Sequence, residues 1–105
     1  MAPIRFRDTV VETDQDGFIQ DFDAWSEELA QYMATAAGMD VLTPDAWRVL
    51  LFLREYYREN ELAPPIRVLC RETGLTLKTI YQLFPGGPAR GACKIAGLPK
   101  PTGCA

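Results

Sequence analysis

Histidine is absent from this 105-residue chain, which removes the commonest metal ligand and the usual general base near neutral pH. Long apolar runs are missing too. None approaches the roughly 20 residues a membrane span needs, so no direct membrane insertion is expected. The start, Met1-Ala-Pro-Ile-Arg-Phe-Arg, lacks the apolar core of a secretory signal, which makes a cytoplasmic location the expectation. Cysteine is scarce, at three residues, and in a reducing compartment so few thiols point to redox or carrier chemistry rather than a disulfide framework. No phosphate-binding loop, metal cluster or catalytic triad can be picked out. Acidic side chains stop at Glu72, and beyond it lie only the cations Lys78, Arg90, Lys94 and Lys100. A basic C-terminal third on a body of net charge -3 suits an anionic partner or cofactor, or is simply a solvated tail.

What is present fits one soluble domain of ordinary composition, 48% apolar and 24% charged. The fold class expected is mainly α. It comprises a small helical bundle with a short N-terminal β-hairpin, a helix-turn-helix-like pair and a flexible C-terminal arm. Residues 1–96 form the helical domain and residues 97–105 the arm. Ile4 to Val11 alternate around Arg7-Asp8-Thr9 and read as the hairpin. Asp23 is placed as the cap of a first helix carrying Trp25, Leu29, Tyr32 and Met33 as far as Gly38. Thr43-Pro44 opens the strongest helix, Ala46 to Tyr57. Its middle is apolar nearly all round, as the central helix of a bundle would be.

Pro64-Pro65 separates that helix from Ile66–Glu72, whose face of Ile66, Leu69 and Cys70 points inward and which ends at Gly74. Thr76 caps a further short helix with Leu77, Ile80, Tyr81 and Phe84, broken by Pro85-Gly86-Gly87-Pro88. The two helices around Gly74 resemble a DNA-binding pair, but the second carries a single lysine on an acidic chain, so DNA is an unlikely partner. Trp47, Phe52, Tyr56 and Tyr57 read as core, and so does Cys70. A last helix, from about Pro88 to Ala96, holds Cys93 and ends at Gly97.

The chemistry is concentrated beyond that point. Cys104 sits eleven positions after Cys93, and Pro99 and Pro101 favour an extended arm. Eight or nine residues give that arm a reach of roughly 25–30 Å. Lys94 and Lys100 favour the Cys104 thiolate, whereas the terminal carboxylate opposes it. Gly103 leaves the tip slim enough for a narrow channel, and Gly97 is read as a point of backbone freedom. Closing a loop of about 12 residues is affordable, so the two thiols can alternate between an open dithiol and a linked form, or hold a sulfur between them as a trisulfide. The spacing fits neither a Cys-x-x-Cys redox motif nor a zinc site.

The run Leu83-Phe84-Pro85-Gly86-Gly87-Pro88-Ala89-Arg90-Gly91-Ala92-Cys93-Lys94-Ile95-Ala96-Gly97-Leu98-Pro99-Lys100-Pro101-Thr102-Gly103-Cys104 resembles the C-terminus of the DsrC/TusE family, most closely its DsrC branch. Asp16-Gly17-Phe18, Phe52-Leu53-Arg54-Glu55-Tyr56-Tyr57 and Ile66-Arg67-Val68-Leu69 extend the likeness over nearly the whole chain. The resemblance implies a sulfur carrier that acts as co-substrate of dissimilatory sulfite reductase and has no cofactor of its own. It implies that Cys104 enters the channel formed by the reductase alpha and beta subunits and approaches their sirohaem. Sulfur leaves on Cys104, Cys93 joins it in a trisulfide, and a membrane-bound thiol-disulfide electron-transfer complex reduces that bridge.

TusE-type members, which relay sulfur to tRNA thiolation, lack a cysteine at the Cys93 position, and sulfur-oxidising members carry an insertion before Tyr81-Gln82-Leu83-Phe84. Both departures favour the sulfite-reducing branch. The alternatives are a TusE-like relay for tRNA thiolation, a redox-sensing helix-turn-helix regulator and a free-standing dithiol oxidoreductase.

Overall fold

The N-terminal strands pair as the alternation suggests. In the computed structural model, which describes residues 4–6, 9–39 and 41–99, β1 (Ile4–Phe6) and β2 (Thr9–Val11) are antiparallel with Ile4 opposite Val11 and Phe6 opposite Thr9. The expected turn at Arg7-Asp8 lies outside the described residues. Val11 packs with Ile19, Leu29 and Met33 in a small cluster that fastens the hairpin to the first helix.

A tight loop follows, in which one Asp14 carboxylate oxygen accepts the amides of Asp16 and Phe18 at 2.8 and 2.9 Å. Phe18 is thereby delivered into the main core. The first helix does not begin at Asp23. Asp21 accepts the Asp23 amide and caps a 3-10 turn, Phe22–Ala24. Trp25 is extended, and Ser26 caps α1 (Glu27–Ala36) through the Leu29 amide. From the break at Trp25 its ring packs against both the main core and the small cluster of Val11, Ile19, Leu29 and Met33.

α2 (Pro44–Asn60) starts as expected, with the Thr43 hydroxyl accepting the Ala46 amide and Pro44 at the first turn. Its buried positions are Ala46, Val49, Leu50, Leu53 and Arg54, a single helical face. Leu51, which the apolar run suggested would be inside, is 46% exposed. The helix is central because α3, α4 and the C-terminal segment all lie against it. α3 (Ile66–Thr73) ends at Gly74, and α4 (Leu77–Leu83) begins at the Thr76 cap. Together they make the helix pair around Gly74. Ile80 and Phe84 are fully buried, whereas Leu77 and Tyr81 are exposed. No helix among the described residues is long and apolar enough to cross a membrane.

Candidate functional site

The expected last helix is present but wound differently. Pro88–Cys93 is π-helical, and regular helix continues only through Lys94 and Ile95 before the chain turns. π-helical turns are rare and recur at functional sites. This one packs against α2 and beside Phe84, just past the end of α4, where a Cβ on Gly91 would come within 2.9 Å of the Phe84 Cβ. Ala92, Cys93, Ile95, Ala96 and Leu98 all enter the main core beside Leu50, Leu53 and Leu69. Cys93 is 3% exposed.

A helix C-terminus leaves its last four carbonyls without helical partners. Here all four are satisfied by protein groups. The Leu98 amide donates to the Cys93 carbonyl and the Gly97 amide to that of Lys94, each at 3.1 Å. This pair of bonds is the Schellman arrangement, with Gly97 in the left-handed conformation at φ 78°. The Trp25 indole N–H donates to the Ile95 carbonyl at 2.8 Å. Arg54 donates through one guanidinium nitrogen to the Ala96 carbonyl and through the other to that of Phe22, both at 2.9 Å.

The guanidinium carbon lies 3.8 Å from the Phe22 ring centroid and 4.3 Å from that of Trp25, so the cation is held between aromatic faces. Burial lowers the Arg54 pKa to about 10, helped by the nearby charge of Arg58 and opposed by Asp23. At pH 7 it remains charged. Gly97 is the point of closest approach: a Cβ there would stand 2.5 Å from the Trp25 ring and 3.0 Å from an Arg54 nitrogen. Gly97 is therefore a constraint rather than the freely bending joint the sequence suggested. The chain stays packed through Leu98, which is fully buried, and the boundary expected at residue 97 falls inside this cap.

Of the other residues singled out in the sequence, Lys94 is half-buried with its Nζ 5.5 Å from the Phe18 ring centroid. It also lines, with Gly91 and Ile95, a groove of about 590 Å3 formed with Met39, Val41 and Leu83. Cys93, one residue earlier, turns away from that groove into the core. Pro99 is half-buried. Arg90 belongs to the π-helical segment by its backbone, and its side chain is outside the described part. Lys100, Pro101, Gly103 and Cys104 lie outside the described residues.

Cys70 lies on α3, partly buried against the core as expected. Among the described residues no group of three or more His, Cys, Asp or Glu side chains could hold a metal ion. Trp25 and Arg54 were not read as parts of the site. The available signal was an arginine on the buried face of α2, directly after Leu53.

Residues 5–105 match the family described as "DsrC like protein". The chain is 45% identical over 104 residues to "Sulfite reductase, dissimilatory-type subunit gamma" of Nitratidesulfovibrio vulgaris, covering 99% of each. It is 40% identical over 106 residues to "Sulfurtransferase TusE" of Escherichia coli K12, covering 94% of this chain and 96% of that one. Its fold superposes with a TM-score of 0.86 on the crystal structure of the oxidised gamma-subunit of dissimilatory sulfite reductase (DsrC) from Archaeoglobus fulgidus, at 38% identity over 99% of this chain and all of that one. With a match over almost its full length and relatives of this similarity, the chain belongs to the DsrC-like protein family.

Proposed function

We propose that this protein is a sulfur carrier and co-substrate of a dissimilatory sulfite reductase in the cytoplasm. The observation that carries the reading is Cys93 on a fully capped helix end, with Cys104 eleven positions further on. The 45% identity to a dissimilatory-type gamma subunit supplies the partner. In this reading the arm starts after Leu98 rather than at Gly97. The six residues from Pro99 to Cys104 reach roughly 20 Å.

The chemistry balances without an added oxidant. A sulfur at the +2 level, written S(OH)2, is delivered from the sirohaem site of the reductase alpha and beta subunits and condenses with the two thiols. The products are Cys93–S–Cys104, a trisulfide, and two waters. Two electrons pass from the thiols to the incoming sulfur. Four electrons and four protons then return both thiols and release hydrogen sulfide. A membrane-bound thiol-disulfide electron-transfer complex is the proposed source of those electrons. The cations Arg90, Lys94 and Lys100 favour approach to an anionic channel mouth.

A TusE-like relay is the second reading, favoured by the 40% identity to that sulfurtransferase. It needs Cys104 alone, so Cys93→Ala separates the two: a relay keeps its sulfur transfer, whereas the carrier loses the trisulfide. The partner is tested by capture of purified dissimilatory sulfite reductase on the immobilised chain. Full-length protein should retain it and a chain ending at Pro99 should not. Equal capture by both would remove the arm from the interaction. Truncation must spare Gly97 and Leu98, because both belong to the packed body.

A further inference from the structure

The four-carbonyl cap has a mechanical consequence for the thiol pair. The Leu98 amide reaches back to the carbonyl of Cys93 itself at 3.1 Å. The chain therefore leaves the body from beside the Cys93 backbone, not from a point five residues further away. Counted along the sequence, Cys104 is eleven positions from Cys93, but only six from the fixed Leu98. Two bonds of the cap are local, and two come from distant side chains: the Trp25 indole on Ile95 and the Arg54 guanidinium on Ala96. A Cβ on Gly97 would stand 2.5 Å from the Trp25 ring and 3.0 Å from an Arg54 nitrogen, so there is no room for another side chain.

We infer that Trp25 and Arg54 are positioning residues. By clamping the turn Ile95–Leu98 they shorten the free loop between Cys93 and Cys104, and so raise the effective concentration of one thiol at the other. Loop-closure entropy falls with the logarithm of loop length. Releasing the clamp lengthens the free loop from about six to at most about eleven residues, and the effective concentration drops by up to about 2.5-fold. The inference rests on the two-thiol reading above, but its readout needs no sulfite reductase.

The test equilibrates the full chain with reduced and oxidised glutathione. One glutathione disulfide takes two electrons and two protons from Cys93 and Cys104, giving the intramolecular disulfide and two glutathione molecules. Intact mass after an acid quench gives the fraction closed, and from it the effective concentration. Trp25→Phe keeps the ring and removes the donor. Arg54→Met keeps the length and removes both donors, and Arg54→Lys restores one.

Arg48→Met is the matched control, because Arg48 donates in the same way to the Thr73 carbonyl, at the end of α3 rather than at the cap Ile95–Leu98. Trp25→Phe and Arg54→Met should each lower the effective concentration, by up to about 2.5-fold. Arg54→Lys should recover part of it, and Arg48→Met should leave it unchanged. An effective concentration indifferent to Trp25→Phe and Arg54→Met, or lowered equally by Arg48→Met, overturns the clamp alone. If the unsubstituted chain forms no Cys93–Cys104 disulfide under any glutathione ratio, the two-thiol reading falls, and the clamp with it.

Discussion

The ends of α3 and of the C-terminal helix share a pattern: cysteine, three residues, then a left-handed glycine, Cys70 with Gly74 and Cys93 with Gly97. At the first, the Gly74 amide donates to the Cys70 carbonyl in a single bond of 2.9 Å. Nothing lies within 4 Å of where a Gly74 Cβ would be. At the second, two amides bond back, two distant side chains finish the remaining carbonyls, and the glycine is pressed against an indole. Each helix end also receives an arginine. Arg48 reaches Thr73 from a side chain more than half exposed, whereas Arg54 is 7% exposed and stacked between two rings. The same local signal thus ends one helix in solvent and nails the other into the core. What differs is the tertiary surroundings, and only the second precedes the segment that bears Cys104.

Substitutions at paired positions should break this comparison unequally. Gly97→Ala combines left-handed strain with a clash against the Trp25 ring, and should cost about 3–4 kcal/mol. Gly74→Ala, with open space, should cost about 1–2 kcal/mol from strain alone. Denaturant unfolding of the two variants measures the gap. Arg54→Met leaves the Ala96 and Phe22 carbonyls without partners and should cost about 2–3 kcal/mol. Arg48→Met, at a half-exposed site, should cost under about 1 kcal/mol by the same measurement.

The thiols should differ in access. Cys70 should react with a maleimide under native conditions before the buried Cys93 does, as peptide mapping of partly labelled protein would show. The smallest expected effect is with pH. Because burial lowers the Arg54 pKa to about 10, the unfolded chain binds more protons than the folded one from about pH 10 up to the ordinary arginine range. Stability from this group therefore rises with pH only in that window. The stability difference between Arg54→Met and the unsubstituted chain should stay flat from pH 6 to 9.

Much of the helical frame was legible because its determinants are local. Thr43-Pro44, Thr76 and Gly74 act within one turn of where they sit, and the structure uses each as expected. Asp23 was a local misreading of the same kind: Asp21 and Ser26 flank it, and the extended Trp25 divides the segment into two capped turns. Leu51 shows the limit of reading a run of apolar residues, since α2 buries one face only and leaves Leu51 on the other.

The candidate site was half legible. Cys93 and Gly97 stand out by spacing, but a glycine's local signal is freedom, and here Gly97 supplies constraint. That constraint comes from side chains 72 and 43 positions earlier, Trp25 and Arg54, and no local pattern announces a contact of that range. An arginine amid the apolar positions of α2 was the one trace in the sequence. Its meaning needed the Ala96 carbonyl beside it.

Whether sulfur is carried between the two cysteines is tested most directly by loading the reduced chain from a persulfide donor and locating the added sulfur by intact mass and peptide mapping. The expected result is a persulfide sulfur on Cys104, none on Cys70, and no loading in Cys104→Ser. Loading that survives in Cys104→Ser and maps to Cys70 would contradict the account.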